Sequence, residues 1–246
     1  MKAIDQLNFP VTVKRTGRRK TVALHVSEGV VHVTVPRRLT DKKIAAILLQ
    51  KELWIRKKLI TDAARPALQP RAFSNGETFA YLGRNYRLEL YAGIRSGVKF
   101  RQGRLWLSVP GELQADDRKQ HIRSQLTQWY LARATRWLEA KTQAFATRMG
   151  VKPGRIEVKY FKSRWGSCSN DGTIKYNWRI IMAPHRIVDY LVVHELAHLV
   201  HHNHSPKYWK FVESCLPDYR DSRCWLKEHG RLLSLEEAPV ANVENR

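Results

Sequence analysis

Residues 194–204 read His-Glu-Leu-Ala-His-Leu-Val-His-His-Asn-His, and this stretch specifies both the chemistry of the chain and the helix that must carry it. His194 and His198 are four residues apart, so a helix places their imidazoles on one face, close enough to bind one ion. Glu195 then lies beside that ion, where it can take a proton from a metal-bound water. Two nitrogens rarely hold Zn²⁺ alone, whereas three nitrogens and a water form the usual open catalytic site. The stretch therefore predicts a zinc-dependent hydrolase.

The residues around this motif predict a buried helix. Pro184 stands where a helix can begin, and residues 187–193 form an apolar run after it. Residues 196–200 continue the apolar pattern, so we expect the helix to run on through the motif within the core. The alternative is a solvated, histidine-rich helix end that binds metal only adventitiously.

The third metal ligand has several candidates, because four further histidines follow the motif: His201, His202, His204 and His229. On a continued helix, His201 would lie about 10 Å along the axis from His194, too far for three rings to share an ion. His202 would point to another face. His204 follows Asn203, a residue that can end a helix and turn the chain back over the metal. Helix geometry therefore favours His204 as the third ligand. His201 and His202 are then expected to be exposed or to support the ligands, and His229 remains a remote alternative.

Further motifs extend this stretch or lie outside it. They are residues 162–169 (Lys-Ser-Arg-Trp-Gly-Ser-Cys-Ser), 174–179 (Ile-Lys-Tyr-Asn-Trp-Arg), 189–198, 203–209 (Asn-His-Ser-Pro-Lys-Tyr-Trp) and, more loosely, 20–22 and 81–87. Together they resemble the SprT/YgjP-like family of minimal zincin metal-dependent hydrolases. The resemblance implies that His194, His198 and His204 bind the metal and that Glu195 is the general base. A metzincin has similar spacing but expects glycine where His201 stands.

Hydrophobic patterning predicts an α+β protein that begins with a β-rich N-terminal region over residues 1–112. Strand-like alternation covers residues 1–36, and one helix is expected at 41–63, after Thr40. Four more strands are expected in this region, at 78–82, 86–91, 98–101 and 105–109.

Residues 113–236 are expected to form a helical, zincin-like catalytic domain with a small sheet and the active-site helix. One long helix spans 115–149 and ends at Gly150. Strands at 155–161 and 173–178 precede the active-site helix, and helices near 207–215 and 221–233 follow it. Residues 237–246 are expected to be a frayed C-terminal tail.

The chain is strongly basic: 44 Lys and Arg against 22 Asp and Glu give a formal net charge of +22 over 246 residues. That excess attracts polyanions, so nucleic acid is a partner to consider. A compact basic run at residues 14–20 predicts a turn between strands, either as a solvated hairpin or as an anion site. Aromatic residues do not alternate with this run as a stacking platform requires, so charge alone does not indicate nucleic-acid binding.

Compartment and membrane association follow from what the sequence lacks. No apolar run is long enough to span a bilayer, and the first residues lack the apolar segment of a signal peptide. The cysteines, Cys168, Cys215 and Cys224, are too few and too irregular for a disulfide framework. We expect a cytoplasmic protein without a membrane span. Nothing in the sequence indicates an oligomeric state.

Several polar residues are expected to border the metal: Arg164, Tyr176, Asn177 and Tyr208. Any of them could stabilise the developing oxyanion, although an ordinary structural hydrogen bond is the commoner role for such residues. Metal-bound imidazoles usually donate their other N–H to a carboxylate or carbonyl, and Asp189 and Glu213 are candidates, with surface exposure the alternative. Cys168 could ligate by residue type, but its Gly-Ser-Cys-Ser turn predicts a small buried side chain.

Three functions compete, and a zinc metallopeptidase ranks first. Peptide backbone could add to an edge strand, for which residues 173–178 are the candidate. The second function is a nucleoside triphosphate (UTP) pyrophosphatase on the same metal site, which the resemblance also implies. Lys and Arg could clamp its phosphates, but no glycine-rich loop or carboxylate cluster for Mg²⁺ is visible. The third is a basic nucleic-acid-binding module with a structural metal, against which Glu195 argues because a structural site needs no base.

Overall fold

The computed structural model describes residues 7–17, 21–27, 29–64, 68–94 and 97–239. The chain divides into two compact units, Met1–Ala67 and Leu68–Arg246. This division differs from the expected boundary at residue 112, because the strands of 78–109 and the helix that follows them share one hydrophobic core. The α+β class is confirmed. Residues 18–20 of the basic run and residues 240–246 of the expected tail lie outside the described residues.

The first unit is a three-stranded sheet with two helices. Its strands β1 (Val11–Thr16), β2 (Ala23–Ser27) and β3 (Val30–Pro36) have the order β1-β3-β2, with β3 parallel to β1 and antiparallel to β2. Helices α1 (Asp41–Gln50) and α2 (Glu52–Ala63) replace the single helix that was expected. Lys51 separates them because its backbone leaves helical geometry, at φ −100° and ψ 9°. Both helices still contribute fully buried side chains, Leu48 and Ile55, to one core.

The second unit begins with a four-stranded sheet that packs on a long helix. The short strand β4 (Leu68–Pro70) precedes this sheet and is not part of it. The sheet consists of β5 (Thr78–Tyr81), β6 (Arg84–Ala92), β7 (Val98–Arg101) and β8 (Arg104–Val109), in the order β5-β6-β8-β7. The predicted helix is present as α3 (Ala115–Met149), which ends at Gly150 with φ 64°. Leu105, Leu107, Ile122 and Leu126 are fully or almost fully buried where the sheet meets this helix.

A second, smaller sheet lies next in the sequence. Strands β9 (Ile156–Lys159), β10 (Gly166–Cys168) and β11 (Ile174–Asn177) have the order β10-β11-β9, with β10 antiparallel and β9 parallel to β11. The expectation that 173–178 supplies an edge strand is wrong, because β11 is central. The edge strands are β9 and β10. The sequence predicted a turn at β10, and Cys168 there is only half-buried. The backbone N–H of Asn177 donates to the carbonyl of Trp165, 2.7 Å away, and extends this pairing.

The remaining elements are mainly helical. A 3-10 helix (Trp178–Met182) leads into α4 (His185–Ala197), and α5 (Pro206–Cys215) and α6 (Tyr219–His229) follow. Helix α4 ends earlier than expected, at Ala197. Leu199 still packs against the core, but Val200 is 48% exposed. Strand β12 (Glu237–Pro239), expected to be frayed, pairs antiparallel with β4. Among the described helices, none has the length and apolar character needed to cross a bilayer.

The start of α4 is fixed by the turn between β5 and β6. The backbone N–H of Leu82 donates to the carbonyl of Ile181 at 2.8 Å, and that of Gly83 donates to the carbonyl of Met182 at 3.3 Å. Gly83 has φ 80°, and a Cβ there would lie 2.8 Å from Cα of Pro184, the N-cap residue of α4. Only glycine allows the turn to approach the helix start this closely.

We expect Gly83→Ala to lower the free energy of unfolding by about 2 kcal/mol or more, because its Cβ would meet backbone at a disfavoured φ. Gly111→Ala is the matched control, since nothing lies within 4 Å of a Cβ at that position. Urea unfolding of both variants measures the difference. Equal midpoints would show that the turn does not constrain α4.

Candidate metal centre

Helix α4 presents the first two histidines of the motif. His194 lies in its last turn, and His198 directly follows its last residue with backbone angles that are still helical, φ −67° and ψ −17°. The spacing of four residues therefore places the two rings together, with centroids 5.2 Å apart. The buried side chains of Leu191, Leu196 and neighbouring residues fix this helix in the core. The backbone that carries both imidazoles is therefore held in place by the core.

The chain reverses after His198 and brings a third histidine back to the first two. Ser205 caps α5, its Oγ accepting from the backbone N–H of Tyr208 at 3.4 Å, and Pro206 occupies the first turn. His204 immediately precedes this cap. Its Nε2 lies 3.3 Å from Nε2 of His194, close to the separation of about 3.3 Å that tetrahedral zinc imposes on two nitrogen ligands.

Three histidines form the group. The ligand atoms of His194, His198 and His204 all lie within 4.8 Å of one another. Among the described residues, this is the only cluster of histidine, cysteine or acidic side chains that could hold a metal, and it excludes His201, His202 and His229. His229 instead stacks on Trp225, with ring centroids 4.8 Å apart.

The hydroxyl of Tyr208 sets the orientation and tautomer of His194. This hydroxyl donates to the backbone carbonyl of His194 at 2.9 Å, so it must accept from the Nδ1–H of the same residue at 2.8 Å. Nε2 of His194 therefore carries a free lone pair directed at His204. Tyr208 is fully buried, and burial raises the pKa of its phenol, so the proton stays on the hydroxyl.

His198 is oriented by a backbone group. Its Nδ1 lies 3.1 Å from the carbonyl oxygen of His201, which can only accept, so Nδ1 carries the proton and Nε2 is free for a ligand. A phenol and a carbonyl thus take the roles expected of Asp189 and Glu213, and that expectation is wrong. The two carboxylates pair elsewhere. Asp189 lies 2.9 Å from Lys141, and Glu213 lies 3.2 Å from Arg220.

The protonation of the three rings fits a cation. Burial, followed by the neighbouring histidines and Arg223, lowers the pKa of His194 to about 3. Burial also lowers the pKa of His198 and of His204. All three imidazoles are therefore neutral at pH 7, as nitrogen ligation requires.

Glu195 is buried beside the three histidines and lies against Gly166. It is 3% exposed, and burial raises the pKa of its carboxyl to about 8, an effect that the charge of Arg164 partly opposes. The first residue of β10, Gly166, faces this carboxyl so closely that a Cβ there would lie 2.7 Å from Cδ of Glu195. The carboxyl group therefore has a fixed position that depends on the absence of a side chain at residue 166.

The other polar residues expected at the metal have structural roles or lie outside the cluster. The hydroxyl of Tyr176 hydrogen-bonds Thr142 at 3.0 Å, and the amide of Asn177 donates to the carbonyls of Phe161 and Arg164. Arg164 itself is exposed. Burial and the nearby carboxylates raise the pKa of the Cys168 thiol to about 11, which disfavours the thiolate a metal needs.

Several residues at the site were given no role by sequence reasoning. Trp209 stacks on His204 with centroids 5.4 Å apart, and the guanidinium of Arg223 lies 4.4 Å over the Trp209 ring. The tryptophan follows the last histidine by five residues, a signal that could have been used. Gly166 and Arg223 are distant in sequence from the motif, so no local pattern reveals them.

We expect Tyr208→Phe to weaken Zn²⁺ binding by about 10- to 100-fold, because His194 loses the group that fixes its ring and tautomer. Tyr91→Phe, at a tyrosine that is 41% exposed, is the control and should bind like wild type. Competition with a chromogenic chelator measures both affinities. If Tyr208→Phe binds Zn²⁺ as tightly as the control, the Tyr208 hydroxyl does not support metal binding.

The comparisons with known proteins identify a family. A family model described as "YgjP-like, metallopeptidase domain" matches residues 20–229. No curated protein matches the chain.

Two solved structures of metallopeptidase zymogens resemble parts of the chain. Abylysin of Pyrococcus abyssi is 22% identical over 37% of this chain and 93% of its own, with a TM-score of 0.34. Jannalysin of Methanocaldococcus jannaschii is 19% identical over 39% of this chain and 96% of its own, also with a TM-score of 0.34. The assignment rests on the family model, which spans most of the sequence and confirms the resemblance seen in the motifs. The chain belongs to the YgjP-like metallopeptidase-domain family, whose members are metal-dependent hydrolases of the peptidase type.

Proposed function

We propose that this protein is a zinc metallopeptidase in which His194, His198 and His204 bind the metal and Glu195 is the general base. The observation that carries the proposal is the convergence of three neutral imidazole nitrogens beside a buried carboxyl group. Bound zinc would polarise the scissile carbonyl and lower the pKa of a water at its open position.

Glu195 is placed to move the proton. A carboxyl with a pKa raised toward 8 exchanges a proton readily near neutral pH, which suits a group that must accept one and then release it to a leaving amine. A bound cation would shift the equilibrium toward the carboxylate, the form that accepts. Gly166 holds the carboxyl at one position, so little reorganisation is needed during turnover.

The edge of the small sheet offers a place for peptide backbone. Residues of an antiparallel pair alternate between bonding their neighbour and pointing away. Because Trp165 and Ser169 bond β11, the backbone groups of Gly166 and Cys168 point to the other side. Among the described residues, β11 is the only strand paired with β10. A substrate strand added there would pass directly beside Glu195, which favours a peptide substrate.

A UTP pyrophosphatase is the second candidate, and one observation favours it. Two cationic side chains, Arg223 and Lys227, line the cavity that also contains His194 and Glu195. They could bind phosphate oxygens. The described residues contain no carboxylate cluster that would hold Mg²⁺, and the strand edge would then have no role.

We expect Glu195→Gln to retain one bound zinc and to lose peptide hydrolysis by at least about 100-fold, because the amide cannot accept the proton. Glu213→Gln, at a carboxylate paired with Arg220 on the helices that follow, should keep wild-type activity. Zinc content and turnover are measured on the same samples. Full turnover by Glu195→Gln would place the base elsewhere.

The two candidate functions are separated by offering zinc-loaded protein an unstructured protein substrate and a panel of nucleoside triphosphates. If the protein is a peptidase, we expect new peptide termini to form, and we expect their formation to require Glu195 and to stop when a chelator is added. Pyrophosphate release without peptide cleavage would instead support the pyrophosphatase.

We expect Gly166→Ala to reduce hydrolysis by about 100-fold or more while zinc stays bound, because the new Cβ displaces the Glu195 carboxyl from its position. Gly111→Ala again serves as the control, with open space around its Cβ. Steady-state kinetics measure the rate of hydrolysis, and metal analysis measures the zinc content separately. Unchanged hydrolysis would mean that the position of the carboxyl is not set by residue 166.

A further inference from the structure

A cavity of about 360 Å³ opens beside the metal ligands. One wall comes from α4, through His194 and Glu195, and a second comes from the start of β10 at Gly166. The third wall is α6, which contributes Arg223 and Lys227. These two residues are four apart, so the helix places both cations on the face that borders the cavity.

The positive charges of Arg223 and Lys227, on the α6 wall, have no ion-pair partner among the described residues. Among the described residues, no carboxylate forms an ion pair with Arg223 or Lys227, whereas Arg220 on the same helix lies 3.2 Å from Glu213. Among the described residues, the only carboxyl that lines the cavity is Glu195, one acidic group against two cations. The cavity therefore carries an excess of positive charge that a bound anion would neutralise.

Stacking contacts hold the guanidinium of Arg223 near His204, one of the candidate ligands. Its guanidinium stacks on Trp209, and Trp209 in turn stacks on His204. Stacking occupies the face of the guanidinium and leaves its N–H edge for an anion.

The cavity also has an apolar floor. Leu191 and Leu226 line it and are 3% and 8% exposed. Such a surface accepts the methylene groups of a side chain while the cations bind its end. Because Gly166 at the strand edge opens into the same cavity, a side chain of a peptide bound along β10 can enter it.

On the basis of the proposed peptidase function, we propose that this cavity is a specificity pocket for a substrate carboxylate, bound by Arg223 and Lys227. The carboxylate is either an acidic side chain or the free C-terminus of the peptide. Both present the same planar anion, which a guanidinium edge binds through paired hydrogen bonds.

The test uses full-length, zinc-loaded protein and peptides that differ only by Glu or Gln at one position near the cleaved bond, each with a free or amidated C-terminus. We expect kcat/KM to be about tenfold or more higher for the peptide with the carboxylate. A preference for Glu in amidated peptides identifies a side-chain pocket. A preference for the free terminus over the amide identifies a terminal carboxylate.

Variants of the two cations test their role. Arg223→Gln and Lys227→Gln should each lower the ratio between acidic and neutral peptides, and the double charge reversal to Glu should favour peptides with Lys. Arg220→Gln on α6 and Lys210→Gln on α5 are controls of equal charge change outside the cavity and should keep the wild-type ratio. Zinc content is measured for each, because Arg223 contacts Trp209. If Arg223→Gln loses zinc, the ratio for Lys227→Gln decides.

The outcomes distinguish this inference from the function on which it rests. Peptide cleavage with equal rates for acidic and neutral peptides, or an unchanged ratio in Lys227→Gln, overturns the pocket assignment alone. Triphosphate hydrolysis that depends on both cations, without peptide cleavage, overturns the peptidase proposal as well.

Discussion

A single buried phenol joins the two segments that carry the candidate ligands. The hydroxyl of Tyr208, on α5, bonds both the ring and the carbonyl of His194, on α4. Because the hydroxyl donates once and accepts once, it defines the tautomer of His194 and fixes α5 against α4. His204 immediately precedes α5, so the same contact also determines where the third ring lies.

Burial creates the electrostatic character of the site. It keeps the three imidazoles neutral, and it raises the pKa of Glu195 toward 8. Neutral nitrogens suit a cation, and a carboxyl that titrates near neutral pH suits proton transfer. On one side of this centre, Arg223 and Lys227 of α6 add positive charge. An apolar interior, neutral imidazoles and two nearby cations would together attract anionic groups to a metal bound by these histidines.

The elements with strong periodic patterns were predicted closely. Helix α3 has the expected bounds, and the strands of the second unit lie near their expected positions, except β4, β10 and β12. Errors occurred where tertiary contacts override local preference. The expected single helix after β3 bends at Lys51, and α4 ends at Ala197, earlier than its apolar pattern predicts. The expected edge strand is central, since β10 pairs with it from a segment whose sequence is typical of a turn.

The sequence alone determined the type of chemistry, since helical spacing fixes His194, Glu195 and His198 on one short segment whatever the rest of the chain does. It also placed His204 after a helix end. The tertiary structure alone decided which groups support the rings, that Gly166 lies against Glu195, and that Arg223 borders the same cavity. Those relations join residues that are separated by tens of positions, and they depend on packing and strand pairing, which no local pattern encodes.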